Sequence, residues 1–235
     1  VVLSAAAYVW FSRPGQPAAD AAPEVTPPAV SQAAPQVPPP LDVPPLDQSD
    51  DVVRRLIGGL SSHPRLAAWL ATDNLIRTIA VIVENIDSGA SPARHLAVLR
   101  PAGQFAVDED GARLVISQRS FSRYDSIGDA AASIDTAGAA TLYAGLKPRF
   151  EEAYRELGHQ DGFDAALERA IVALLAVPGV DARVPLVPGQ GALYDYADPR
   201  LQGLTAAQRQ FLRMGPRNVR VIQEALGAFR TAALP

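Results

Sequence analysis

Two carboxylates and a tyrosine are the residues best suited to acid–base chemistry in this sequence. Glu151 and Tyr154 share one face of a predicted helix with Tyr143 and Lys147, and Asp125 lies on the preceding predicted helix. Paired acids can act as general acid and general base when their surroundings separate their pKa values. We therefore take Asp125, Glu151 and Tyr154 as candidate catalytic residues. A solvated amphipathic face with an ordinary Lys147–Glu151 pair explains the same pattern.

Other catalytic and cofactor-binding motifs are absent from the sequence. There is no cysteine, which excludes a thiol nucleophile, a disulfide scaffold and cysteine-based metal sites. The three histidines are far apart, and no nucleophile elbow, zinc-binding helix or phosphate-binding loop is present. We predict no cofactor and no metal site, and an enzyme is the less favoured interpretation.

A cluster of positive charge near the C terminus is the other candidate site. Residues 199–235 contain six arginines and a single acid, in a chain with a net charge of −4. Guanidinium groups match the geometry of carboxylates and phosphates. We predict a surface that binds an acidic protein, a lipid headgroup or another anion, formed by Arg213, Arg217, Asn218 and Arg220. The alternative is that these arginines pair internally with Asp195, Asp198 and acids on other helices.

The first 46 residues differ in composition from the rest of the chain. Residues 1–13 consist of an uncharged, mainly apolar run that contains Tyr8 and Trp10, followed by Arg13. Aromatic residues and arginine favour the membrane interface, and no initiator methionine precedes the run. We predict the exit half of a transmembrane anchor; a cleaved signal peptide and a plain apolar tail are the alternatives. Eleven of the 33 residues from 14 to 46 are proline, which predicts a disordered linker rich in proline and alanine.

Residues 47–235 are predicted to form one mainly α domain with a minor β-hairpin. Asp47 or Ser49 is the expected cap of the first helix, and Thr72 or Asp73 that of the third. Apolar runs on both sides of residues 108–111 indicate the hairpin. Residues 177–199, with four prolines and three glycines, are predicted to be a loop with at most a second hairpin.

The second half of this domain is dominated by helical periodicity. A single helix is predicted over Ser120–Ser133, and Asp135 is the expected cap of a longer helix that Pro148 should kink or interrupt. Gly215-Pro216 is expected to end one helix and begin the last one at once.

The combination of local motifs resembles a known bacterial family. The motifs that carry the resemblance are Ser62-His63-Pro64, Trp69-Leu70, Ser91–Leu96, Arg123-Tyr124-Asp125, Leu142-Tyr143, Lys147-Pro148, Ala153–Gly158, Ala197–Leu201 and Leu212–Asn218. Together, across residues 41–232, they resemble the family called domain of unknown function 3014. The resemblance offers no activity and no catalytic residue to transfer. It implies a single-pass protein of the Gram-negative inner membrane whose domain lies in the periplasm.

The functional hypothesis that follows is a binding or scaffold module rather than an enzyme. A net charge of −4 argues against a nucleic-acid-binding protein, since these are usually basic. We expect a domain that is tethered to the inner membrane and engages an envelope protein or an anionic envelope ligand. One alternative is an envelope hydrolase or lyase that uses carboxylates. The other is a small-molecule sensor, which would need an apolar pocket.

Overall fold

The computed structural model describes residues 41–190 and 193–234, which form a mainly helical domain with one small sheet. This confirms the predicted fold class. The predicted anchor and most of the predicted linker lie outside the described residues.

The helices follow one another along the chain with short connections. The α-helices are α1 (Asp50–Gly58), α2 (Pro64–Leu70), α3 (Leu75–Asp87), α4 (Gln118–Ser122), α5 (Asp125–Ala132), α6 (Thr136–Glu156), α7 (Phe163–Leu175), α8 (Pro199–Gln202), α9 (Ala206–Leu212) and α10 (Pro216–Ala233). Two 3-10 helices cover Leu46–Gln48 and Ala93–Leu99.

The strands form a single antiparallel sheet in sequential order. They are β1 (Val107–Asp110), β2 (Arg113–Ile116), β3 (Pro185–Pro188) and β4 (Tyr194–Tyr196). The first two form the predicted hairpin, and the last two form the second hairpin allowed for residues 177–199. Leu114 on β2 pairs with Leu186 on β3, and this pairing joins the two hairpins across about 70 residues of helical chain.

The interior consists of two groups of buried side chains. The first contains apolar residues of α1, α2, α3, α6 and α7, including Leu75, Leu146 and Phe163. The second contains residues of the sheet and of α4, α8, α9 and α10, including Phe211 and Val219. Burial of apolar area in these two cores is the main source of stability.

For the middle of the chain one prediction is wrong, and of the kink or interruption expected at Pro148 the interruption does not occur. The single helix predicted over Ser120–Ser133 is two helices, α4 and α5, which are separated at Arg123-Tyr124. Pro148 lies inside α6 and does not interrupt it. A proline inside a helix costs about 3 kcal/mol, and this cost is offset because the helix buries Leu146 and Phe150 in the first core.

The predicted helix caps have different outcomes. Ser49 precedes α1, but its hydroxyl donates to Leu46 O and accepts no hydrogen bond from the helix. Asp135 accepts a hydrogen bond from Gly138 N, as predicted. The third helix begins after Asn74, which has φ 55°, and not after Thr72 or Asp73. Its first amides are bound by Asp50 of α1. The carboxylate of Asp50 accepts from Asn74 N at 2.6 Å and from Leu75 N at 2.9 Å.

The junction between α9 and α10 is a close contact of backbone with an aromatic ring. Gly215 has φ 87°, and a Cβ atom there would lie 2.5 Å from Cγ of Phe121. Only glycine tolerates both the backbone conformation and the contact. The predicted end of one helix and immediate start of the next are confirmed.

The packed chain begins upstream of Asp47, where we expected the domain to start. Val43 and Leu46 are 3% and 4% exposed, although both lie in the segment assigned to the linker. Arg149 donates from Nε and Nη2 to Val43 O at 3.1 and 2.6 Å, and Leu41 N donates to Gly145 O. The end of the proline-rich segment is therefore fixed along α6, because its apolar side chains complete the first core.

Candidate functional site

Glu151, a candidate catalytic residue, has a structural role in the fold. Both of its carboxylate oxygens accept from Phe163 N, at 3.0 and 3.1 Å. Phe163 is the first residue of α7, whose preceding Gly162 offers no side chain to cap the helix. A carboxylate at this position satisfies a free amide and complements the helix dipole. Glu151 thus fixes α7 to α6.

Tyr154 is buried beside Glu151 and is not free for proton transfer. Its side chain is 1% exposed, and its ring stacks on His159 with centroids 4.4 Å apart. Burial raises the pKa of Tyr154 above its ordinary value, so the phenol stays protonated at neutral pH.

Asp125, the third candidate, lies in a different part of the molecule. It accepts from Asn218 Nδ2 at 2.9 Å and lies 3.7 Å from a guanidinium nitrogen of Arg217. Only Glu151 and Tyr154 are close together, through their shared neighbour Phe163. The three candidates therefore have separate partners: Asp125 is bound by α10, whereas Glu151 and Tyr154 contact the first residue of α7.

A second polar cluster on α6 and α7 is also structural. Asp164 on α7 accepts from both the Tyr143 hydroxyl and Lys147 Nζ of α6. Burial, followed by the hydrogen bond to Asp164, raises the pKa of Tyr143. A phenol with a raised pKa is a poor general base at neutral pH, and the cluster instead joins the two helices.

The predicted arginine surface is divided by the structure. Asn218 is 1% exposed, so its assignment to a contact surface is wrong: its amide is an internal hydrogen-bond donor. Arg217 pairs with Asp129 at 2.6 Å. Arg220 is exposed and Arg213 is half-buried. Neither Arg213 nor Arg220 forms an ion pair with a residue that the structure describes.

Other C-terminal arginines follow the alternative of internal pairing. Arg200 binds Asp198 at 2.8 Å, and Arg230 binds Glu168 on α7. Arg209 donates to the carbonyls of Gln202 and Leu204. Arg200, Arg217 and Arg230 are therefore paired within the domain.

A cavity at the junction of the two cores is the strongest candidate site. It has a volume of about 480 Å³ and is lined mainly by apolar side chains. Ile86 of α3 and Leu99 of the 3-10 helix line it on the side of the first core. Leu174 of α7 and Ile222 of α10 line it on the side of the second. The cavity lies where the two groups of buried residues meet without closing on each other.

Few polar groups line this cavity, and none of them is acidic. The polar residues among those that line it are Arg100, Arg123, Tyr124 and Gln210. Gln210 Nε2 lies 3.5 Å from Tyr124 Oη. The Arg123 guanidinium lies over the Tyr124 ring, with its carbon 5.6 Å from the centroid. An apolar cavity with a few convergent polar groups is typical of a small-molecule site.

Arg123 is held in place from two directions. Its Nη1 donates to Gly103 O at 2.9 Å, and its Nε donates to Ser120 O at 3.3 Å. Arg100 lies three residues before Gly103 and is exposed. The hydrogen bond from Arg123 to Gly103 therefore brings the loop that carries Arg100 close to the Arg123 side chain.

Sequence reasoning did not identify this site. Its lining residues lie on separate segments of the chain between Ile86 and Ile222. Most of them are apolar and cannot be distinguished in the sequence from ordinary core residues. The one available signal was the motif Arg123-Tyr124-Asp125, which contributed to the family resemblance and contains two of the polar lining residues.

The described residues were also compared with the requirements of a metal site and of a membrane-spanning helix. Among residues 41–190 and 193–234, no three His, Asp or Glu side chains are grouped so that they could hold a metal ion. In the same ranges, no single helix has the length and hydropathy of a membrane span. Only α2 and α3 taken together reach such values, and they are bent by 105° relative to each other.

Comparison with known proteins identifies a family and no individual relative. No curated protein and no solved structure matches the chain significantly. The model of one family, described as "Protein of unknown function (DUF3014)", matches residues 75–230. These residues are more than half of the 235 and include every residue that lines the cavity. The resemblance inferred from the motifs is thereby confirmed, and the chain belongs to the DUF3014 family.

Proposed function

We propose that this domain is a non-catalytic module that binds a small, mainly apolar molecule in the cavity between its two cores. The observation that carries the proposal is the cavity itself. Its volume of about 480 Å³ falls within the range of roughly 300–1,000 Å³ that is usual for small-molecule sites. Of the functions considered from the sequence, a small-molecule sensor is the one that requires such a pocket.

The location of the cavity favours a role in sensing or transport over a role in catalysis. Its wall includes Phe211 and Met214, which lead directly into α10. A ligand would therefore contact the segment that joins the two C-terminal helices. The polar lining groups bind and orient a ligand, whereas Glu151 and Tyr154 have structural partners elsewhere.

We also propose that the domain is tethered in the periplasm by residues 1–13 and the proline-rich segment after them. The uncharged apolar run with Tyr8 and Trp10 supports this location. A folded domain on a proline spacer stands clear of the bilayer, because such spacers are semi-rigid and extended.

An envelope protein is the second proposed ligand class. The observation that favours it is the exposed Arg220, which has no ion-pair partner among the described residues. Arg213, which is half-buried and also has no ion-pair partner among the described residues, lies beside Met214, a lining residue of the cavity. A partner bound at this surface would lie next to the ligand site.

The cavity proposal is tested with N-phenyl-1-naphthylamine, a neutral apolar dye that fluoresces when it leaves water. The variant is Ala93→Trp, because Ala93 lines the cavity from an exposed position on the 3-10 helix. The matched control is Ala97→Trp on the same helix, which is exposed and does not line the cavity.

We expect saturable binding of one dye molecule by the wild-type domain and by Ala97→Trp, and at least tenfold weaker binding by Ala93→Trp. Circular dichroism spectra establish that both variants are folded. Absence of saturable binding by the wild type would overturn the proposal, as would equal binding by the two tryptophan variants.

A further inference from the structure

The charges around the cavity indicate what kind of ligand it takes. Its lining residues include two arginines, Arg100 and Arg123, and no Asp or Glu. The whole chain has a net charge of −4, whereas the charged residues that line the cavity are both positive. Neither arginine forms an ion pair with a residue that the structure describes.

The two arginines differ in how firmly they are held. Arg123 uses Nε and Nη1 to bind the carbonyls of Ser120 and Gly103, which leaves Nη2 without a described hydrogen bond. Arg100 is exposed and makes no side-chain hydrogen bond to a described residue. One guanidinium is therefore fixed at the cavity, and the other is free to move toward a ligand.

The remaining lining is apolar and suits a hydrocarbon body. Leucine, isoleucine, phenylalanine, methionine, proline and alanine residues form most of the wall. Burial of an apolar chain there strengthens binding by roughly fourfold for each methylene group. Since a guanidinium group binds carboxylates and phosphates through two parallel hydrogen bonds, a charged head on that chain has matching partners.

We propose that the ligand is an amphipathic anion, with a carboxylate or phosphate head bound by Arg100 and Arg123 and an apolar chain in the cavity. This inference rests on the proposed function, because it names the ligand class of the same cavity. Tyr124 and Gln210 provide further hydrogen-bonding groups in the wall. Head and chain together set the orientation of the ligand, with its charge toward Arg100, the exposed member of the pair.

The test compares three probes that share one alkyl chain: decanoate, decyl phosphate and decanol. Each displaces N-phenyl-1-naphthylamine from the wild-type domain, and the displacement gives its affinity. We expect one or both anions to bind about tenfold more tightly than decanol, since a hydrogen bond to a charged group is worth roughly 1.5–3 kcal/mol. The tighter of the two anions identifies the head group.

Arg100 is the residue to vary, because Arg123 also holds Gly103 in place. Arg100→Gln should weaken binding of the preferred anion by about fivefold to tenfold and leave decanol unchanged. The control is Arg94→Gln, an exposed arginine of the 3-10 helix that does not line the cavity. Higher salt should weaken binding of the anion and not that of decanol.

The outcomes separate this inference from the proposed function. If decanol and both anions bind equally tightly, or if Arg100→Gln has no effect on either anion, the anionic ligand is ruled out while the apolar site stands. If the dye binds but none of the probes displaces it, the anionic ligand is ruled out, whereas failure of the dye itself to bind overturns both proposals.

Discussion

Asn218 on α10 lies directly against Gly128 on α5, and this contact joins the last helix to the middle of the chain. A Cβ atom on Gly128 would lie 2.5 Å from Asn218 Oδ1. The Asn218 amide nitrogen donates to Phe121 O at 3.3 Å, to Met214 O at 2.9 Å and to Asp125 at 2.9 Å. These hydrogen bonds hold α10 against α4 and α5, because loss of a hydrogen-bond partner in the interior costs about 1–3 kcal/mol.

Replacement of Gly128 by alanine is therefore expected to destabilise the domain by about 1–3 kcal/mol, since the added methyl group displaces the Asn218 side chain. The matched control is Gly227→Ala, on a helix interior with no atom within 4 Å of the new Cβ. It should stabilise the domain by about 0.5–1 kcal/mol, because alanine is the better helix former. Thermal unfolding of both variants measures the difference, and equal midpoints would contradict the assigned contact.

Asp50 makes a second link between helices, and its removal gives a separate prediction. Its carboxylate binds the amides of Asn74 and Leu75 at the start of α3. Asp50→Ala should lower the free energy of unfolding by about 1 kcal/mol, the usual value for a lost helix cap. Asp51→Ala is the control, since Asp51 is 87% exposed and pairs only with Arg54 on the same helix. Urea unfolding should show a lower midpoint for Asp50→Ala and an unchanged midpoint for Asp51→Ala.

The Asp50 contact also shows which parts of the fold could be predicted from the sequence. A helix with clear apolar periodicity and a cap within three residues, such as the one that begins after Asp135, was predicted correctly. The third helix is capped by a residue 24 positions upstream of its N-cap Asn74, and no local pattern contains that information. Pro148 was expected to kink or interrupt α6, because helix propensity includes the cost of the proline but not the burial of Leu146 and Phe150 on either side of it.

The candidate site was less accessible to sequence reasoning than the fold. The cavity is formed by segments that come together only in the folded chain, and its residues resemble ordinary core residues. In contrast, Arg217 and Asn218 stood out by residue type and charge. The sequence did not show that Asn218 is buried or that Asp129 neutralises Arg217.

Reversal of charge at Arg217 and at Arg220 should have different consequences. Arg217→Glu would place a third carboxylate beside Asp125 and Asp129, so we expect a lower thermal midpoint. Arg220→Glu removes an exposed charge without an ion-pair partner among the described residues, and its midpoint should match the wild type. A change in partner capture is therefore best measured in Arg220→Glu, where folding is unaffected. Equal loss of stability in the two variants would show that Arg217 is not held by these acids.

Arg77 determines part of the acid sensitivity of the domain. It donates from Nε and Nη2 to Glu156 at 2.6 and 3.0 Å, and from Nη1 to Asp47 at 2.8 Å. The hydrogen bond from Arg77 lowers the pKa of Glu156 below its ordinary value of 4.5. A carboxylate with a lowered pKa contributes stability that is complete above pH 4.5 and is lost as the pH falls through the lowered pKa.

Arg77→Gln should therefore weaken the dependence of the unfolding midpoint on pH below 4.5, because Glu156 then titrates alike in the folded and unfolded chain. The control is Arg65→Gln, since Arg65 donates to the Ser126 hydroxyl and to no carboxylate that the structure describes. Its pH profile should run parallel to that of the wild type. A profile for Arg77→Gln that stays parallel to the wild type below pH 4.5 would show that this ion pair does not contribute to acid unfolding.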